Sequence, residues 1–132
     1  MKYWVAIIAV ALLVSCGGAR TSVTGQAVMD KIKAAGITVA PDKPASGGDS
    51  IPKTYLERQV FVIDSIAPAG GQIFVCDTKK NCDAIYAYFD ALKALAGPYL
   101  YQSPSGTVVA QLNDGLAPTE ATKFDEVIKS LP

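Results

Sequence analysis

Apolar positions along this chain change their spacing several times, and each change predicts an element. Val28, Ile32 and Ala35 recur at helical spacing, Thr24 can cap the free amides, and Gly36 is placed as a left-handed stop, so residues 25–35 are expected as a helix. Ile37-Thr38-Val39 reads as a brief strand. Residues 41–52, PDKPASGGDSIP, hold neither period and read as a slack surface loop. Val60, Phe61, Val62 and Ile63 are β-branched or aromatic, so residues 57–64 are expected as a strand buried on both faces.

Pro68-Ala69-Gly70-Gly71 reads as a turn, and Gln72 to Cys76 as the returning strand of a hairpin. Asp77 or Thr78 can cap the next helix, which carries Ile85, Phe89, Leu92 and Ala96 on one stripe and stops at Gly97-Pro98. Residues 99–102 and 107–112 flank Ser103-Pro104-Ser105-Gly106 as a second hairpin. A last helix starts at Pro118, where a missing N–H costs nothing, and shows Phe124, Ile128 and Leu131. The order α-β-β-β-α-β-β-α predicts an α+β domain, a mostly antiparallel sheet with its helices packed on one face.

The first fifteen residues do not belong to that domain. Lys2 is followed by an uncharged run containing Ile7, Ile8, Val10, Leu12 and Leu13, which ends at Ser15-Cys16-Gly17-Gly18. A spanning helix needs about 20 apolar residues, so a short signal peptide is the better reading than a permanent membrane helix. Leu13-Val14-Ser15-Cys16 resembles the lipobox of bacterial lipoproteins. The resemblance implies cleavage before Cys16 and a thioether from its sulfur to diacylglycerol, with palmitate-type acyl chains holding the protein to a membrane. The expected organisation is a signal peptide over 1–15, a flexible tether over 16–23 and one domain over 24–132. Gly17 rather than Asp follows Cys16, which in a two-membrane envelope resembles cargo for the outer membrane.

Composition narrows the function classes. Twelve basic and twelve acidic residues cancel, and losing Lys2 leaves one fewer base than acid, so no basic excess points to nucleic acid. Histidine is absent, which removes the commonest general base and metal ligand together. A conventional Ser-His-Asp triad is therefore unavailable. Residues 28–132 also resemble a loose group of small, uncharacterised bacterial lipoproteins. The shared features are a helix ending in Ala34-Ala35-Gly36 before a strand, a central aromatic-rich helix, and a late hairpin before a terminal helix. They are structural features, and no activity, cofactor or metal comes with them.

Candidate chemistry is sparse. Cys76 and Cys82 bracket Asp77-Thr78-Lys79-Lys80-Asn81 and can approach to the roughly 6 Å between α-carbons that a disulfide needs. Outside the cytoplasm that bridge should form; a redox-active pair is the alternative, although catalytic dithiols are usually separated by two residues rather than five. Tyr86, Tyr88, Phe89, Tyr99 and Tyr101 gather aromatic area in mid-chain, and Tyr86 and Tyr88, off the centre of the helical stripe, are the candidate partner surface. Asp83 with Asp90, Asp125 with Glu126, and Glu57 with Arg58 are the carboxylate and ion-pair sets that could be proposed; solvated faces are the simpler reading. Gly47-Gly48 and Gly70-Gly71 match no phosphate-binding spacing and read as turns.

Three functions remain in competition. The first is a non-enzymatic, lipid-anchored envelope protein that binds a protein partner or serves as an accessory subunit of a membrane-associated complex. The second is a small envelope enzyme or redox protein using Cys76 and Cys82 or a carboxylate. The third is a small ligand carrier, for which one thin domain offers little interior.

Overall fold

The structure is a computed structural model and describes residues 23–46 and 49–132. The expected signal peptide, Cys16 and the expected tether up to residue 22 lie outside the described residues, as do Gly47 and Gly48. The elements in order are α1 (Gly25–Ala34), β1 (Val39–Asp42), β2 (Glu57–Ile63), β3 (Gly70–Val75), α2 (Lys79–Ala91), α3 (Lys93–Ala96), β4 (Tyr99–Gln102), β5 (Val108–Leu112) and α4 (Pro118–Lys129). The strands form one sheet in the order β1-β2-β3-β5-β4, and every adjacent pair is antiparallel. This is the expected α+β class.

Alternation along the strands divides the interior in two. Phe61 and Ile63 of β2, Ile73 and Val75 of β3, and Val108, Ala110 and Leu112 of β5 point one way, onto Val28, Met29 and Ile32 of α1 and Phe124 and Ile128 of α4. The rings of Phe61 and Phe124 stack there with centroids 6.1 Å apart. Phe74 and Val109, one residue out of phase, point the other way with Leu100, onto Cys82, Ile85 and Phe89 of α2. The helices therefore occupy both faces of the sheet rather than one. The physical reason is that β3 and β5 are apolar at odd and even positions alike, so each face offers a surface that only a further layer can dry.

Several boundaries move from their expected places. The first strand runs from Val39 to Asp42 instead of 37–39, because Ile37 and Val39 join the α1 core while Val39, Ala40, Pro41 and Asp42 pair with Ile63, Val62, Phe61 and Val60. The 41–52 loop is not slack at its end: Ile51 is buried beside Phe74, and two residues past the loop Thr54 donates its hydroxyl to the Asn81 carbonyl at 2.7 Å. Strand β2 is buried on one face only. Phe61 and Ile63 are covered, whereas Val60 and Val62 are half-buried, because α2 packs over β4 and β5 and leaves β2 open on that side.

Gly70 and Gly71 lie inside β3 rather than in a turn, and a short 3-10 segment, Asp64–Ile66, makes the connection. A Cβ on Gly71 would stand 2.6 Å from the Gln111 carbonyl oxygen and 3.1 Å from the Phe61 ring, so these glycines permit close approach of neighbouring strands. The long central helix is interrupted at Leu92, whose amide bonds back to Phe89 in a tighter turn before α3 begins. The caps fall as expected: Thr24 accepts from the Ala27 amide at 3.1 Å, Thr78 from Asn81 at 3.3 Å, and Pro118 opens α4. Gly36 adopts the left-handed conformation after α1.

Candidate functional site

Cys76 follows the last residue of β3 and Cys82 closes the first turn of α2, so the chain reverses between them. The two α-carbons are 5.6 Å apart and the sulfurs are joined in a disulfide. Both residues are buried, Cys82 completely. Thr78 caps the helix between them, and Asp77 accepts from the Asn81 side-chain amide at 2.6 Å, so the loop is held by its own hydrogen bonds as well as by the bridge.

A row of polar side chains crosses the sheet on the α2 side, and the sequence pattern did not single it out. Arg58 donates from Nε to the side-chain Oε1 of Gln72 at 2.9 Å, and Gln72 Nε2 donates to the side-chain Oε1 of Gln111 at 2.9 Å. Gln111, only 2 % exposed, donates on to the Ala96 carbonyl at 2.5 Å and to that of Leu112 at 2.9 Å. At the other end Asp49, from the loop after β1, pairs with the Arg58 guanidinium and with Lys53 at 2.6 Å. The Arg58 guanidinium also lies 5.6 Å from the centroid of the Phe74 ring, and Tyr55 meets the same ring edge-on at 5.3 Å. Lys53 first, and Arg58 after it, hold the Asp49 carboxyl below its ordinary value. The one sequence signal for this row is a Gln inside each of two otherwise apolar strands.

The carboxylate sets read from the sequence do not converge. Asp83 accepts from Lys79 at 2.7 Å and from Gln102 at 2.9 Å, and those contacts, Lys79 before Gln102, lower its pKa. Asp90 pairs instead with Lys93 at 2.5 Å, and Asp125 with Lys129 at 2.5 Å. Asp125 and Glu126 are neighbours in sequence, which on a helix turns them to different directions. Glu57 accepts from the Gly25 amide at 2.7 Å, while Arg58, on the opposite face of the strand, reaches Asp49.

The mid-chain aromatics are likewise divided. Tyr99 and Tyr101 pack on the α1 and α4 side of the sheet, where the Tyr99 hydroxyl donates to the Leu116 carbonyl at 3.2 Å. Burial, helped by Asp125 and then Tyr99, pushes the Tyr101 phenol up to about 12. Tyr86 and Tyr88 are half-buried on the α2 side. Two residues apart on a helix, they diverge by about 200°, so each edges a different flank of α2. The Tyr88 ring stands edge-on to Phe89 with centroids 5.1 Å apart.

Between α3 and the loop at Asp114 is an open recess of about 260 Å³ lined by Lys93, Ala94, Leu95, Gly97, Pro98 and Asp114. Leu95 beside it is 87 % exposed. Among the described residues no three carboxylate or thiol side chains gather so as to hold a metal ion, and no helix is long and apolar enough to cross a membrane. Comparison with protein-family models, with curated proteins and with solved structures finds no match to this chain.

Proposed function

We infer that the protein is held on the extracytoplasmic side of a bacterial envelope by lipid on Cys16, and that its folded domain works as a binding or accessory subunit of a membrane-associated complex. In an envelope with two membranes, Gly17 after Cys16 favours the outer one. The observation that carries the reading is the distribution of the three cysteines: Cys76 and Cys82 are consumed by the bridge, which leaves Cys16 after Leu13-Val14-Ser15. Disulfides persist in oxidising compartments, which agrees with an exported chain. Two or three acyl chains at about 0.8 kcal/mol per buried methylene hold a protein at a bilayer essentially permanently. The accessory role draws support from side chains whose polar groups are already engaged with one another: the row from Asp49 to Gln111 and the lysine-paired Asp83, Asp90 and Asp125.

Metabolic labelling with an alkyne fatty acid tests the anchor. The full chain should take up label and sediment with membranes, and Cys16→Ser should do neither; label retained by the variant would overturn the reading. Affinity recovery of the anchored protein from solubilised membranes should bring down a stoichiometric envelope protein, and its loss on substituting Tyr86 by Ala would place the contact on the Tyr86 flank of α2.

A further inference from the structure

The domain has two ends that differ in their distance from Val23, the first of the described residues before α1. At one end the Gly25 amide donates to Glu57, the Cys76 amide donates to the Thr107 carbonyl, Cys76 is bridged to Cys82, and the Ser105 amide reaches the Pro132 carbonyl at 3.4 Å. The start of α1, the start of α2, the Ser103–Gly106 turn and the last residue of α4's trailing segment are thereby neighbours. At the other end Asn113 and Gly70 exchange hydrogen bonds, Ser65 donates to Glu120 at 2.6 Å, and Gln111 reaches Ala96, which gathers the 3-10 segment, α3, the Asp114 loop and the start of α4. The chain enters the domain at the first end, because Val23 packs against the core just before α1.

From Cys16 to Val23 there are seven virtual bonds, each spanning at most about 3.6 Å, so a fully straight connection covers about 25 Å. From Gly106, in the near-end turn, to Asn113, just past β5, the extended chain rises about 3.3 Å per residue, roughly 23 Å. The connection at full stretch thus barely matches the height of the domain. Bringing the far end to the lipid would require it to run straight along the whole side of the molecule.

Resting on the lipid-anchor reading, we propose that the domain stands on the bilayer by its near end, so that the Cys76–Cys82 bridge, the Ser103–Gly106 turn and Pro132 face the headgroups. The far end, with Leu95 and the recess between α3 and Asp114, is held away from the membrane and open to partners. Reach, not charge, sets this orientation. The near-end Lys79 and Lys129 are already paired with Asp83 and Asp125, and exposed Lys80 has exposed Asp77 close by in sequence. The headgroup layer need not be anionic.

The test uses the full lipidated protein in phosphatidylcholine vesicles doped with a nickel-chelating lipid. Single nitroxide labels go on Pro132→Cys at the near end and Leu95→Cys at the far end, both exposed positions, with the native bridge left oxidised. Relaxation of the label by the membrane-bound nickel should be several-fold stronger at 132 than at 95, and unchanged by high salt. Equal relaxation at the two sites, or a stronger effect at 95, with protein still floating with the vesicles, overturns the orientation and leaves the anchor standing. Protein that fails to float carries no lipid on Cys16, and both inferences then fall.

Discussion

Gln72 and Gln111 meet side chain to side chain across β3 and β5, amide to carbonyl at 2.9 Å, on the face of the sheet that α2 covers. Gln111 is almost wholly buried and also serves the Ala96 carbonyl, so a single side chain fastens the end of α3 to the sheet. Removing one partner from such a network leaves other buried polar groups unmatched, which costs more than the bond itself contributes. Gln111→Leu should lower stability by about 1–3 kcal/mol. The check is urea unfolding. Because the two residues share a bond, Gln72→Leu with Gln111→Leu should cost less than the two single losses added together.

Phe74 is the centre of the α2-side core, with Tyr55, Phe89 and the Arg58 guanidinium around its ring. Phe74→Ala should cost about 3–5 kcal/mol, since a large void opens among residues fixed on several elements. Leu56, 66 % exposed one residue before β2, provides the contrast: Leu56→Ala should stay within about 0.5 kcal/mol. Equal effects in thermal melts would contradict the burial seen here.

The Cys76–Cys82 bridge closes a short loop. In the loop-entropy account its reduction, or Cys76→Ala with Cys82→Ala, removes about 2–3 kcal/mol. Maleimide labelling of folded protein should modify neither cysteine until a reductant is added. Ready labelling of both without reductant would favour a redox role for the pair.

Asp49 and Asp83 have folded-state pKa values below the ordinary carboxylate range, through Lys53 and Lys79 first. A depressed pKa adds stability that is present above the unfolded value near 3.8 and is lost as pH falls through the folded value. Stability should therefore decline as pH drops below about 4, and Asp49→Asn should make that decline shallower in equilibrium unfolding followed against pH.

Tyr101 works in the opposite direction. Its phenol is raised from 10.0 to about 12, so its contribution is complete below pH 10 and disappears as pH climbs toward 12. Tyr101→Phe should flatten the alkaline limb of stability, and ultraviolet titration of the folded protein should show one phenol ionising later than the rest.

Helices and strands were legible in this chain wherever local chemistry decides. Thr24, Thr78, Pro118 and Gly36 mark helix ends because a free amide or a left-handed turn is satisfied within a few residues of itself. The Cys76–Cys82 contact was legible for the same reason, since both partners belong to one short reversal. The row from Asp49 through Arg58 and Gln72 to Gln111 was not. Its members lie in a loop and three strands, and their meeting depends on register.

By itself, then, the sequence determined the class, the order of elements, the caps and the bridge, all settled by the backbone and by neighbours a few positions away. Only the tertiary structure decided that α2 lies opposite α1 and α4, that Gly70 and Gly71 sit within a strand, and that the tyrosines part to two faces. Those outcomes depend on which long-range surfaces bury each other, and in a strand a shift of a single residue exchanges one face for the other.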